Sequence, residues 1–500
     1  TSIDTTMTDS TTQPELMSEI SRRRFFDRMT DGLYGVALTS LLGQQAQVFA
    51  AEETHHAARL PEDLKPRRPH FKPRATSVIH LCMQGGPSQV DLFDPKPALK
   101  KYHGQTAPRE LTGNAVFETD RTGKLMQSPF AFKRHGKSGA WVSDALPHIA
   151  QEVDQMTIVR SMYNVHPNHE PAIYKMQSGQ TFPGHPAFGS WITYGLGNEN
   201  QNLPAYVVLA DPSNRLPVNN VDNWMSGYLS PLYQGTRMKA TGSPLLNLAP
   251  DYAHAEQVSR NKQQLLKQLD RMHQKQRPGQ QELEARIQNY EMAANMQLEA
   301  TETLDISQET SDTLAMYGID QKETDSFGRR CLLARRLVEK GVRFVQLYTR
   351  GQMWDNHSKI QKSLQSACGQ TDLPVAGLLK DLRQRGLLDS TLVLWGGEFG
   401  RLPTAQITSS AKMNVAGRDH GPYGFSTWMA GGGVKQGLVF GNTDEVGYAS
   451  VENRVSIQDW HATVLHLLGL DHERLVYERN GLGERLTHQF STNVVHEIIA

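Results

Sequence analysis

The sequence is poor in cysteine, in net charge and in long apolar runs. It has three cysteines in 500 residues, Cys82, Cys331 and Cys368, and none forms a CxxC pair. That excludes a zinc ribbon or thioredoxin-type motif, and a sparse, odd set gives no disulfide framework. Cys82 lies in an apolar run and reads as a small core residue. The 52 Lys and Arg balance the 52 Asp and Glu, so no charge excess supports a nucleic-acid or membrane-surface partner. The basic pair Arg67 and Arg68 sits among prolines and reads as solvated linker. Internal repeats and long low-complexity tracts are absent. The length suits one large α/β domain with insertions, or a few smaller domains, with ample core.

The N-terminal region carries an address. Residues 21–26 read Ser-Arg-Arg-Arg-Phe-Phe, and a twin arginine before Phe-Phe resembles the bacterial Tat signal. The mildly apolar GLYGVALTSLLG (32–43) follows, and Val48-Phe49-Ala50 offers a small-residue cleavage region. The apolar run is too short to span a bilayer. An amphipathic helix with a chance arginine run is the alternative. The signal reading makes the exported protein periplasmic or membrane-associated, with no membrane span in the mature chain. Residues 1–50 are then a signal region, 51–75 a linker rich in Pro, Arg and His, and 76–500 the folded domain.

Within that domain, apolar runs with β-branched residues mark strands buried on both faces of a parallel sheet. They are SVIHLCM (77–83), MTIVRSM (156–162), LPAYVVLA (203–210), VRFVQLY (342–348), STLVLWGG (390–397) and FSTWMAGGG (425–433). Helical patterns lie at 326–341, 373–386 and 456–469. The alternation predicts a doubly wound, mostly parallel α/β sheet with helices on both faces. Residues 252–302 are rich in Gln, Lys and Glu with helical spacing and break at Arg277-Pro278-Gly279. They read as two inserted helices, a lid in preference to a coiled-coil arm because the heptads are not sustained.

In such a sheet ligands bind outside the carboxyl ends of the strands. The polar residues there are Ser88, Asp91 and Asp94 after the first strand, and His166, Asn168, His169 and Glu170 after the second. Asp355 and His357 follow the fourth strand, Glu398 follows the fifth, and Arg418, Asp419 and His420 precede the sixth. Recurring carboxylate–imidazole clusters at one edge suit zinc, manganese or iron. A divalent ion is therefore expected, zinc, manganese, iron or calcium, as one ion or two. His461 and His466 are five apart on the last helix and share no face well. His461 is a candidate for reaching the site and His466 reads as structural.

The order of these segments is similar to the alkaline phosphatase-like superfamily, which includes arylsulfatases and cofactor-independent phosphoglycerate mutases. The resemblance covers about residues 76–480. It rests on STLVLWGGEFGR (390–401), DHGPYGFSTWMAGGGVKQG (419–437), VSIQDWHATVLHLLGL (455–470) and NHEPAIYKMQSG (168–179). MQGGPSQVDLFDPKP (83–97), WDNHSK (354–359) and EFGR…GRDH more closely resemble a bacterial, Tat-exported family of unknown function within it, domain of unknown function fifteen-hundred-and-one. The resemblance implies a first metal held by Asp355, His357 and His420. For the second metal it leaves Asp91 and Glu398, because Phe399 stands where the superfamily has a histidine. Asp419 adjoins this set. The nucleophile position is His169 instead of Ser or Thr, which implies a ligand or general base ahead of a nucleophile. Arg401 and Arg418 are candidates for gripping a sulfate or phosphate bidentately, or else surface ion pairs.

The resemblance implies a periplasmic, metal-dependent hydrolase of sulfate or phosphate esters on a small molecule or polysaccharide. The resemblance argues against ordinary formylglycine sulfatase chemistry, since no Cys or Ser occupies position 169. The alternative is a non-catalytic, metal- or glycan-binding relative that works with another exported protein.

Overall fold

The computed structural model describes residues 63–106, 122–213, 216–240, 256–277, 281–406 and 413–500. The expected signal region lies outside them, as does the linker up to residue 62. Residues 63–75 carry no helix or strand but are not a solvated tether. Arg67 N–H donates to Leu196 O at 2.9 Å, and Arg74 and Ala75 both donate to Leu467 O. The Arg67 guanidinium donates to the carbonyls of Tyr194 and Asp63. The solvated reading of Arg67 is thereby corrected, because tertiary carbonyls collect its donors.

A nine-stranded sheet organises the molecule. Its strands are β1 (Ser77–Cys82), β2 (Met156–Tyr163), β3 (Tyr206–Leu209), β4 (Thr236–Met238), β5 (Phe344–Tyr348), β6 (Thr391–Gly396), β7 (Phe425–Ala430), β8 (Leu438–Phe440) and β9 (Val455–Ser456). The order is β8-β2-β7-β6-β1-β5-β3-β4, with β9 also on β2. All pairings are parallel except those of β7, which runs antiparallel to β2 and β6. The sheet is thus mostly parallel, as expected. All six apolar runs are strands. The unforeseen β4, β8 and β9 are only two or three residues long, too short to show a period.

The two faces explain the unbroken apolar runs. In β1, Ile79 and Leu81 enter one core cluster while Val78 and Cys82 enter another. In β5, Val345 and Leu347 alternate likewise with Phe344 and Tyr348. Period-two alternation with both faces covered is the geometry of a doubly wound sheet. Helices α1 (His169–Ser178), α2 (Phe188–Leu196), α3 (Glu256–Gln276), α4 (Gln281–Leu304), α5 (Asp325–Glu339), α6 (Ile360–Gln384) and α7 (Ile457–Leu467) complete the main framework. On one face lie α5 and α6 (Leu332 and Leu378), on the other α2 and α7 (Trp191 and Val464).

Helix α6 begins well before the expected 373, because it runs through Pro374. A proline disfavours helix at the residue before it and removes one N–H, which hid the first half of the pattern. Helix α7 starts where a capping box dictates, with Ser456 and Asp459 bonding each other's backbone N–H. The insertion is two helices, α3 and α4, as expected, and its break at 278–280 lies outside the described residues. Ala285, Met296 and Ala300 of α4 are buried, whereas Leu265, Leu269 and Met272 of α3 stay exposed.

Candidate metal centre

The carboxyl edge of the sheet gathers the site. The chain leaves β5 and is pinned by Trp354, whose ring is fully buried and lies 6.0 Å edge-on from Trp395, and whose backbone N–H donates to Gln84 O. Asp355 and His357 follow at once. Two glycines hold this turn. A Cβ on Gly85, whose φ is +110°, would fall 2.4 Å from Asp355 N, and one on Gly417 would fall 2.1 Å from Asn356 O. Any side chain at either position displaces the turn. His420 is placed by a short antiparallel pairing in which it lies opposite Arg401. His169 is the first residue of α1.

Three imidazoles converge on one carboxylate oxygen. Asp355 Oδ1 is 2.8 Å from His357 Nε2, 3.2 Å from His420 Nε2 and 3.3 Å from His169 Nε2. The Nε2 atoms of His357 and His420 face each other at 3.1 Å. One atom from each of the four residues fits within a mutual spread of 4.8 Å.

The far side of each ring fixes what the near side offers. His169 Nδ1 meets Glu398 Oε1 at 2.6 Å, His357 Nδ1 meets Gln406 Oε1 at 2.5 Å, and His420 Nδ1 meets Pro167 O at 2.7 Å. All three partners are acceptors, so each Nδ1 carries a proton. In the neutral rings each Nε2 then presents a lone pair to the common centre. Two lone pairs 3.1 Å apart repel unless a cation or proton lies between them. His169 Nε2 is buried and has no hydrogen-bond partner among the described residues; its contact with Asp355 lacks hydrogen-bond alignment.

A divalent ion satisfies this arrangement. Bonds of about 2.1 Å in a tetrahedral set place ligand atoms about 3.4 Å apart, near the separations above. Histidine ligands characteristically donate their other N–H to an oxygen. Three nitrogens and one carboxylate suit zinc, manganese or iron. Calcium takes six to eight oxygens, and this set offers one carboxylate beside three nitrogens.

Electrostatics agree with the geometry. Burial alone would lower the His169 pKa, but contacts with Asp355 and Glu398 outweigh it and lift it to about 9. Burial would raise the Asp355 pKa, yet the three imidazoles and the Arg401 charge hold it well below the usual carboxylate range. His420 is pushed down to about 4, by burial first and then by the Arg401 and His169 charges.

The remaining candidates are placed as follows. Glu398 reaches the centre only through His169; both its oxygens also accept from Gly85 N–H. Asp91 stands apart, fully buried, receiving Arg418 through Nε at 2.7 Å and Nη2 at 3.1 Å and Ser88 Oγ at 2.5 Å. Its ligand role is corrected, since a guanidinium occupies both oxygens. Asp419 Oδ1 accepts from His420 N–H and lies 4.0 Å from His357 Nδ1, the side turned away from the centre. Neither Arg401 nor Arg418 is a surface group or a free anion clamp. Both are fully buried. Arg401 donates to Asp355 Oδ1 at 2.6 Å and to the carbonyls of Gly85, Gly86, Trp354 and Arg418. Arg418 donates further to Leu402 and Met126 carbonyls. His461 donates from Nε2 to Met176 O and, fully buried, does not enter the cluster.

Sequence reasoning missed Gln406, Pro167 and the positive use of Phe399. The Phe399 ring lies 4.9 Å from His169 and 4.6 Å from His420, walling both imidazoles. An uncharged glutamine and a carbonyl leave no signal in sequence.

A family comparison decides the kinship. This chain is a DUF1501 protein. The model of that family, described as protein of unknown function (DUF1501), matches residues 75–499. No curated protein sequence matches. Among solved structures, the DUF1501 chain superposes on a sulfatase, PsFucS1, from Pseudoalteromonas sp. at 13% identity and TM-score 0.33, covering 82% of this chain and 74% of that one. Lipoteichoic acid synthase LtaP from Listeria monocytogenes gives 8% identity and TM-score 0.33, covering 82% and 76%. Phosphonate monoester hydrolase SpPMH from Silicibacter pomeroyi gives 9% identity and TM-score 0.31, covering 80% and 73%. Superpositions this loose carry no argument about activity.

Proposed function

We propose that the chain is a metal-dependent hydrolase of sulfate or phosphate esters that uses a single divalent transition ion. The observation that carries this reading is the convergence of three imidazole Nε2 atoms on Asp355 Oδ1, each ring held from behind by an oxygen. His169 is here a ligand, joining Asp355, His357 and His420. A bound divalent ion would supply Lewis acidity toward an ester oxygen and toward water.

The chain's own residues have distinct duties. Glu398 orients His169 and keeps its proton on Nδ1. Arg401 holds Asp355 in place and compensates its charge. Helix α1 opens at the cluster, where its N-terminal dipole favours an anion. Position 169 offers no hydroxyl or thiol, so the reading uses water, not a side chain, as the attacking group. The substrate class, an ester on a small molecule or polysaccharide, and a periplasmic destination through a Tat-type signal rest on the family resemblance and on residues 21–26.

Elemental analysis of the purified full chain beside Asp355→Ala tests the centre. About one equivalent of zinc, manganese or iron, lost in the variant, supports it; hydrolysis is then sought with aryl sulfates and aryl phosphates. No metal in either protein removes the reading. A second reading, a non-catalytic metal-binding relative partnered with another exported protein, is favoured by the burial of Arg401 and Arg418, whose donors are engaged internally. Metal-loaded protein inert on the whole ester panel would favour it.

A further inference from the structure

A second cleft, sharing no residue with the metal cluster, encloses about 1090 Å³ between the hairpin 132–143, residues 90–100 and the segment 442–452. Its size is at the upper end for small-molecule sites. Three aromatic residues line it, Phe130, Phe132 and Trp141; Trp141 is 36% exposed. The Arg134 guanidinium stands 5.1 Å from the Trp141 ring centroid and braces the indole on its hairpin.

A fixed polar row also lines the cleft. Asp94 is buried and receives Thr443 Oγ1, with Lys96 Nζ at 3.0 Å and Arg160 Nη1 at 3.4 Å. Arg160 Nη2 donates on to Asn442 Oδ1, and Asn442 Nδ2 donates to Glu452 Oε2 at 2.6 Å. Lys96, Lys100 and Arg160 share the lining with Asp94, Asp444, Glu445 and Glu452. Near balance of charge offers no selectivity for a strongly anionic or cationic ligand. A polar row excludes an acyl chain. What remains is a ligand with an apolar face for stacking and many hydroxyls for a preset line of donors and acceptors.

We infer that this cleft is a binding site for a neutral oligosaccharide stretch, with Trp141 as the stacking platform, Lys96, Arg160, Asn442 and Glu452 as the hydroxyl readers, and buried Asp94 fixing Lys96 and Arg160 in place. The site stands whether or not the metal centre hydrolyses esters.

The test is retention of the full-length protein on an array of neutral gluco-, galacto- and manno-oligosaccharides beside their sulfated counterparts, with affinities from titration of the best neutral member. Trp141→Ala should weaken that affinity about tenfold and leave metal content unchanged. Asp355→Ala should keep the affinity, which separates this site from the metal centre. Retention of no neutral member, retention of sulfated members only, or unchanged affinity in Trp141→Ala would each overturn the assignment.

Discussion

Two aspartates at the same sheet edge meet different fates. Asp355 is surrounded by three imidazoles and one guanidinium. Asp91 is taken bidentately by the guanidinium of Arg418. Imidazole gives up its proton near neutral pH and can then bind an ion. Arginine keeps its charge at every accessible pH. One carboxylate is therefore exchangeable and the other permanently neutralised. Only the first of these carboxylate neighbourhoods can exchange its partners for an ion, hence the single ion proposed.

The sharpest break of this contrast is Asp355→Ala. Metal content should fall to background, whereas Asp91→Asn should leave it unchanged. Metal loss in the Asp91 variant, by elemental analysis, would place Asp91 back at a metal site.

Next in size is Arg418→Met. It strands a fully buried carboxylate, and breaking a buried pair this way costs about 3–5 kcal/mol. Urea unfolding should show the loss with metal content retained.

Glu398→Gln keeps shape but removes the carboxylate behind His169. Metal affinity should fall about 10- to 100-fold, read by competition with a chelating dye. An unaffected affinity would deny Glu398 its positioning role.

The smallest effect is a pH signature confined to the imidazole neighbourhood. The His169 pKa is raised to about 9, so its contribution is full below about pH 6.5 and is lost as pH rises through 9. The His420 pKa is lowered to about 4, so its contribution is present above about pH 6.5 and is lost as pH falls toward 4. Metal-free protein should be most stable near neutral pH, and the alkaline decline should vanish on metal loading. Metal uptake at pH 7 should also release a proton from His169, detectable by calorimetry in buffers of different ionisation enthalpy. A flat profile in the metal-free protein would contradict the arrangement around His169.

Much of this was legible beforehand. The six apolar runs are strands because both faces of a parallel sheet are covered, which leaves continuous hydrophobic sequence. Asp355, His357 and His420 were readable because a sheet presents its ligands at strand ends. His169 was readable as a candidate, but its place as a fourth member of the cluster needed the distance from Nε2 to Asp355. Asp91, Asp419, Arg401 and Arg418 looked equally reactive in sequence. Their type gave no sign that guanidinium groups would be consumed by buried carbonyls and carboxylates from 16 to 327 positions away.

By itself, then, the chain's order of residues determined the doubly wound sheet and the set of groups delivered to its carboxyl edge, because periodicity and strand ends are local properties. Only the tertiary structure decided which carboxylate meets imidazole and which meets guanidinium. That choice depends on contacts such as Arg418 with Asp91, 327 positions apart, and on the acceptor behind each ring, neither of which any short stretch encodes.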